Sequence, residues 1–455
     1  MILGISKRHL PRRYPLCRVA RMFRMTGLGF ALLFCFSIAA WSDESSVDAP
    51  GPESSELGTQ KKQPKAYVPG EGYQLFEGEL GSLNVTAYAL LRFLDQLPGE
   101  QTFVDHLGRE QLVEGRRDIQ LHRVLLHFKG FLLNPRLTQQ TSIWAVNSTN
   151  SVTAFAAINY KFAEAFVLGG GIGAMPGTRS MNYEHPYFLG TDRQMADEFF
   201  RPSFTSGIWV SGRPVPKFEY RVMLGNNLNI VDITAKQLMR DYAVGGTVAW
   251  YPSTGEFGPK GGFGDFEMHD RLATRFGASG TQSRVDRLSQ VDNPYPDQTT
   301  VRLSDSLAFF QTGSLAPDAT VQKANFALLA VDAGIKYRGF FLFAEAYFRR
   351  LSNFQVFGGP VPLTVIDDNG FMVQSSYMAV EQKLELYGSF SQLYGQFNRA
   401  MALTGGANFY PYKSRSFKLN GSLTYVDRSP VSSFFGYFVG GQKGPTTALS
   451  ADYLF

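Results

Sequence analysis

The feature of this sequence that most restricts its fold is a repeated alternation of apolar and polar residues. Near residues 82–93, for example, Leu83 and Val85 alternate with Asn84 and Thr86. Successive side chains of a β-strand point to opposite faces, so such a segment predicts a strand with one apolar and one polar face. We count sixteen such segments, near residues 82–93, 119–131, 136–147, 151–161, 165–174, 203–212, 217–226, 241–251, 269–280, 324–337, 339–350, 369–380, 382–393, 400–411, 415–426 and 446–455.

The links between these segments alternate in length. Those after most odd-numbered segments are long, at 94–118, 175–202, 281–323 and 351–368, whereas most others are short. Outer-membrane barrels combine short periplasmic turns with long outer loops, and an even strand count places both chain ends in the periplasm. Two links break the rule, the long 252–268 and the short 147–151. The pattern predicts an all-β fold, a transmembrane antiparallel β-barrel of about sixteen strands over residues 81–455.

The N-terminal residues indicate export. Residues 1–42 combine a basic region, an apolar run from Gly27 to Ala40 and small residues before a possible cleavage site, as secretory signal peptides do. Their removal takes away seven of the 44 Lys and Arg, none of the 39 Asp and Glu, and both cysteines. The remaining chain is slightly acidic, so we expect no nucleic-acid partner. Because it has no cysteine, we also expect no disulfide and no thiol-bound metal. Residues 43–80, rich in Ser, Pro and Gly, predict a flexible periplasmic linker.

The last strand segment ends on an aromatic residue. Leu449, Ala451, Tyr453 and Phe455 share one face of it. This resembles the terminal strand of bacterial outer-membrane barrels, whose last Phe and preceding aromatic are read by the barrel-assembly machinery. The resemblance implies that Tyr453 and Phe455 are an assembly signal and that outer-membrane lipid surrounds the barrel. A soluble β-rich periplasmic protein is the competing class, because a buried edge strand shows the same alternation.

Alternation also assigns the charged strand residues to the interior. A charge on the lipid face costs roughly 2–4 kcal/mol at the bilayer midplane. The basic residues assigned inward are Arg92, Arg123, His127, Lys129, Arg221, Arg275, Lys336, Arg349 and Lys418, and the acidic ones are Glu219, Asp332, Glu345 and Glu385. The basic surplus predicts a lumen that favours small anions. The alternative is a lattice of salt bridges that only solvates the inner wall.

The link 175–202 is a candidate constriction loop, folded into the lumen. It follows the fifth segment, where porins commonly fold a loop inward. Its basic residues Arg179, Arg193 and Arg201 accompany the acidic residues Asp192, Asp197 and Glu198. Such a mixture predicts a transverse electric field across a pore. An ordinary surface loop is the alternative.

Several segments are similar to the phosphate-selective porin O/P family. They are Arg123–Gly130, Asp197–Pro202 before Gly207–Gly212, Ala333–Phe340 followed by Phe343–Arg350, and Gly370–Gln374 followed by Lys383–Leu386. The resemblance implies a sixteen-stranded outer-membrane channel, usually a homotrimer, with basic lumen residues that favour anions. Ser389 stands where the family often has Arg, so one lumen charge is missing here.

These observations predict a passive channel in the bacterial outer membrane. It would pass small hydrophilic solutes, with a modest preference for anions such as phosphate. The chain has neither an HExxH nor a GxSxG motif, and we expect no enzymatic activity, no cofactor and no metal. The alternative function is a structural, adhesive or ligand-capturing surface barrel that uses the long loop 281–323.

Overall fold

A computed structural model describes residues 72–97, 99–147, 150–182, 187–229, 241–258, 262–290, 299–432 and 436–454. The predicted signal peptide 1–42, most of the predicted linker 43–80, and Phe455 lie outside the described residues. In the described residues no helix is both long and apolar enough to cross a membrane.

The regular secondary structure of the described residues is almost entirely β-strand. The first ten are β1 Tyr73–Gly78, β2 Gly81–Gln96, β3 Thr102–Val104, β4 Glu110–Leu112, β5 Arg117–Leu132, β6 Asn134–Val146, β7 Ser151–Ala163, β8 Phe166–Ala174, β9 Phe204–Val215 and β10 Phe218–Gly225. The others are β11 Ala243–Trp250, β12 Ala273–Asp286, β13 Ala319–Tyr337, β14 Phe340–Gly358, β15 Val365–Val380, β16 Leu384–Tyr394, β17 Arg399–Phe409, β18 Phe417–Asp427 and β19 Gly444–Leu454. Within the described ranges, a short α-helix, α1, spans Met195–Phe200.

Sixteen of these strands close into an antiparallel barrel. Strand β2 and strands β5 to β19 each pair with their neighbours along the chain, and β19 returns to pair with β2, with Tyr453 opposite Ala89. Strands β3 and β4 form a separate small hairpin. All sixteen predicted segments are barrel strands, so the predicted fold is confirmed.

One predicted long loop is wrong. The link predicted at 351–368 shrinks to residues 359–364, because β14 and β15 extend well past the predicted segment ends. Arg350 lies opposite Asp367 in this extension, and its Nε is 2.7 Å from the Asp367 Oδ1. Opposite charges on facing positions stabilise strand pairing. Residues predicted to form a loop therefore belong to the sheet.

The sheet also begins earlier than the predicted barrel boundary at residue 81. Strand β1 pairs with the start of β2, from Tyr73 opposite Val85 to Gly78 opposite Gly81. Strand β19 reaches β2 only from Tyr88 onward. Backbone groups facing lipid need hydrogen-bond partners. Part of the predicted linker thus covers the edge of β2 that β19 leaves open.

The two faces of the barrel have opposite chemistry. Outward side chains such as Leu329, Val331 and Leu423 are exposed and apolar, whereas inward charged side chains such as Lys336 and Glu345 are buried. A soluble protein has the reverse arrangement. An apolar exterior on a closed barrel is the surface that hydrocarbon requires.

Connecting segments fill a large part of the interior. Phe188 and Phe200 from 175–202, Phe263 from 251–272 and Phe309 from 287–318 belong to one buried apolar cluster with the strand residue Phe343. Sixteen strands alone predict an open aqueous channel. Here the loops pack against the strand side chains, so the space available to water is smaller than the strand count indicates.

We expect the Asp452→Ala variant to destabilise the barrel at its closing strand. Asp452 accepts a hydrogen bond from the Tyr88 hydroxyl, and its Oδ2 lies 3.6 Å from the Lys418 Nζ. Both members of the ion pair are 1% exposed, and breaking such a pair costs about 3–5 kcal/mol. The free energy of unfolding, measured by denaturant titration in detergent, checks this value.

The matched control is the Asp367→Ala variant. It breaks the exposed pair with Arg350, whose side chains are 62% and 54% exposed, and should cost at most about 1 kcal/mol. Equal losses in the two variants would contradict a special role for the closing strand.

Candidate channel lumen

The described residues of the link 175–202 lie in the interior of the barrel. On one side, the Asp192 carboxylate lies 3.6 Å from the Arg92 Nη1 and 3.0 Å from the Arg123 Nη2. Arg92 belongs to β2 and Arg123 to β5, so this carboxylate clamps the loop to the wall near the barrel seam.

Other contacts fix the same loop to strands β14, β16 and β17. The Arg179 backbone N–H donates to the Glu345 Oε1 at 2.8 Å, and the Ser389 hydroxyl donates to the Gln194 Oε1 at 2.6 Å. The Asn408 side chain donates to a loop carbonyl, that of Leu189, at 2.8 Å. The predicted inward-folded loop is therefore confirmed.

The three basic residues predicted for the constriction are buried within this loop. Arg201 makes a bidentate pair with Glu198, with both N···O distances 2.7 Å. The Arg193 Nε donates to the Ser180 hydroxyl at 3.2 Å. The Arg179 guanidinium lies 4.2 Å from the centre of the Phe343 ring. These contacts hold the loop in shape, whatever further role the three side chains have.

Most of the basic residues assigned to the lumen are neutralised by buried carboxylates. Arg92 and Arg123 share Asp192. The other pairs are Arg275 with Asp332 at 2.7 Å, Arg349 with Asp368 at 2.6 Å and Lys418 with Asp452 at 3.6 Å. The predicted inward orientation is observed for these residues. For them, however, the lattice of salt bridges describes the structure better than a row of free cations.

Two other candidates lie within the packed interior. His127 is buried, and its Nδ1 lies 2.7 Å from the Ser142 hydroxyl. The Lys336 Nζ lies 4.9 Å from the centre of the Phe257 ring. Neither His127 nor Lys336 lines the two lumen cavities described below.

Lys129 and Arg221 are the exceptions. Both are half-buried and line one cavity of about 490 Å³, and neither forms an ion pair in the described part of the chain. The Arg221 guanidinium lies 4.7 Å from the centre of the Trp209 ring. The cavity wall contains no carboxylate.

This cavity continues along the wall formed by strands β9 to β12. A second cavity of about 340 Å³ shares Ser211 and Arg221 with the first. It is lined as well by Glu219, which pairs with Arg213, and by Arg275. The open space therefore runs along the wall from β5 to β12, and Met181 of the inward-folded loop forms part of its lining.

Sequence alternation missed the aromatic part of this wall. On the inward face of β6, Gln140 and Ser142 are followed by Trp144, and all three line the larger cavity. The polar neighbours two and four positions away were the signal that Trp144 also points inward.

Comparisons with solved structures agree with this architecture. The chain is similar to the outer-membrane expressed OmpT of Vibrio cholerae, with a TM-score of 0.50 and 12% identity over 84% of this chain and 99% of that one. It is also similar to the anion-selective porin from Comamonas acidovorans, with a TM-score of 0.50 and 13% identity over 82% of this chain and 100% of that one. No protein-family model and no curated protein sequence matches the chain.

The class of protein follows from the fold. A closed sixteen-stranded barrel with an apolar exterior, a polar inner wall and an inward-folded loop is the fold of bacterial outer-membrane porins. The protein is located in the bacterial outer membrane.

A charge network lies at the short-turn end of the barrel, in residues 251–272. The His269 Nδ1 is hydrogen-bonded to the buried Asp265, and its Nε2 lies 3.1 Å from the Glu256 Oε1. The hydrogen bond with Asp265 raises the pKa of His269. Asp265, Glu267 and His269 bring atoms of metal-ligand type within 4.8 Å of one another. Arg415, whose Nε is 3.2 Å from the Glu267 Oε1, already supplies a positive charge there.

We expect the Asp192→Asn variant to release the constriction loop. The change leaves buried Arg92 and Arg123 without their shared carboxylate, which costs about 3–5 kcal/mol. Single-channel recordings should show a larger conductance or frequent steps between two levels. A conductance trace and a thermal midpoint identical to those of the unaltered protein would contradict the clamp.

We also expect His269 to stabilise the barrel most at acid pH. Its raised pKa means that the stabilisation is full below the unfolded-state value of about 6.5 and disappears as the pH rises through the folded-state pKa. Thermal midpoints of the unaltered protein and of His269→Asn should therefore differ at pH 5.5 and converge above the folded-state pKa. Comparison of the two proteins removes the contribution of groups they share. A constant difference from pH 5 to 9 would argue against this assignment.

Proposed function

We propose that the protein is a channel for passive diffusion of small hydrophilic solutes, with a modest preference for anions such as phosphate. The observation that carries this proposal is the position of Lys129 and Arg221 on the open side of the lumen. Their charges have no carboxylate partner in the described residues, so they attract anions into the cavity. The cations that are paired with carboxylates elsewhere contribute little to the electric field in the lumen.

The resemblance to the phosphate-selective porin O/P family and the anion-selective porin with the same fold support the same proposal. Together they favour a homotrimer embedded in outer-membrane lipid and inserted by the barrel-assembly machinery. Tyr453 points outward, 49% exposed, which suits an assembly signal at the lipid face. Transport by diffusion involves no turnover, cofactor or metal.

A surface-binding function is the second candidate, and one observation favours it. A cavity of about 450 Å³ on the long-loop side is lined by His106, Asp305, Phe397 and Lys443, among others. Asp305 belongs to the predicted capture loop 281–323, and the His106 Nδ1 lies 2.6 Å from its Oδ2. Planar bilayers separate the two functions, because a purified barrel without ion-permeable openings would remove the channel proposal.

The double variant Lys129→Gln with Arg221→Gln should lower the anion preference. A unit charge about 4 Å away in water is worth about 1 kcal/mol, so we expect the anion-to-cation permeability ratio to fall about fivefold. Reversal potentials in a KCl gradient measure this ratio.

The control is Arg350→Gln, which removes a positive charge from an exposed pair with Asp367. It should leave the reversal potential unchanged. Cation preference in the unaltered protein, or equal shifts in both variants, would overturn the assignment of selectivity to Lys129 and Arg221.

A further inference from the structure

The larger lumen cavity has an aromatic wall. Trp144 meets Phe155 edge-on at 5.3 Å between ring centres and Phe204 edge-on at 5.5 Å, while Phe155 and Phe204 stack at 5.3 Å. The three rings come from β6, β7 and β9, on the inner face of the barrel, and all line the cavity. An aqueous passage for inorganic ions has no need of such a surface.

The positive charges lie on the same cavity. Arg221 packs on the Trp209 ring, whose indole N–H donates to the Asn159 Oδ1 at 2.9 Å. Lys129 lines the cavity from β5. The site therefore combines an apolar surface with two cations that have no carboxylate partner in the described residues.

Two buried donors of this wall are also unsatisfied. The Trp144 Nε1 and the Arg221 Nε make no hydrogen bond within the described part of the chain, and Trp144 is only 5% exposed. A buried donor without a partner costs about 1–3 kcal/mol. Both nitrogens are covered by protein atoms, so the ligand contacts of this cavity come from the rings and from the terminal cationic groups instead.

Inorganic phosphate uses only part of this chemistry. Its oxygens can accept hydrogen bonds from the cations, but it has no surface to place against the rings. An organic anion with an aromatic or apolar body matches both the rings and the cations. The volume of about 490 Å³ lies in the usual range for small-molecule sites.

We propose that this cavity is a binding subsite for organic carboxylates with an aromatic or apolar body. The body packs against Trp144, Phe155 and Phe204, and the carboxylate accepts hydrogen bonds from Lys129 and Arg221. That such carboxylates pass through the channel rests on the proposed function. Their binding to the cavity is tested separately, without a conductance measurement.

The experiment titrates the detergent-solubilised full chain with sodium benzoate, sodium propionate or sodium phosphate while tryptophan fluorescence is recorded. Trp144 and Trp209 line the cavity, whereas Trp250 is 51% exposed on the outer face. Benzoate should change the fluorescence saturably, with a Kd about three- to tenfold lower than that of propionate, because of its ring contacts. Phosphate should bind more weakly than benzoate.

Two variants keep every tryptophan and separate the ring from the charges. Phe155→Ala should raise the Kd of benzoate about three- to tenfold and leave that of propionate unchanged. Lys129→Gln with Arg221→Gln should weaken both carboxylates. The matched control is Phe348→Ala, which removes a ring that is 53% exposed on the lipid side and should change nothing.

Folding of each variant is checked by its heat-dependent mobility on a denaturing gel. If Phe155→Ala does not fold, the double variant Lys129→Gln with Arg221→Gln tests the site. The inference is overturned if propionate or phosphate binds as tightly as benzoate, or if folded Phe155→Ala binds benzoate normally. A closed or cation-preferring channel that still binds benzoate would instead overturn the proposed function alone.

Discussion

The pairing of β19 with β2 is the interaction on which the rest of the structure depends. Hydrocarbon offers no hydrogen bonds to an open sheet edge, so a barrel in lipid must close through every strand. Strand β19 covers β2 from Tyr88 to Gln96, and β1 covers it from Gly81 to Val85. A slip of β19 by one residue in this register would turn Asp452 toward lipid and away from Lys418. The orientation of the whole inner wall follows from the closed register.

Closure creates an interior in which charges must be compensated, and the loops provide much of the compensation. Asp192 on the inward-folded loop neutralises two arginines from the wall, and carboxylates on neighbouring strands neutralise three further cations. A charge next to its counter-ion produces little field at a distance. The electrostatic character of the lumen therefore depends on which cations beside open space lack a carboxylate partner in the described residues, as Lys129 and Arg221 do, and not on the total of basic residues.

The strand pattern could be predicted because it depends only on a local period of two residues. All sixteen strands follow from it, as do the inward positions of Arg275, Arg349 and Lys418. The filling of the lumen could not be predicted in this way. Phe257 and Phe263 lie in a turn without periodicity, and nothing local shows that they pack against Phe341 or Phe343 across the barrel. Which cations are paired likewise depends on contacts between distant segments, such as Arg123 with Asp192.

The position of Ser389 shows how the distribution of paired and unpaired cations in the lumen affects ion selectivity. In the phosphate-selective family that the sequence resembles, this strand position often carries Arg, whereas this chain has Ser. Ser389 is 5% exposed and bonded to Gln194 of the constriction loop, so it lies on the side of the lumen that the loop fills. An arginine at this position would contact the packed loop and not a solute that passes through the lumen. The missing charge therefore does not weaken the case for anion preference on the open side, where the aromatic wall beside Lys129 and Arg221 replaces a purely ionic surface.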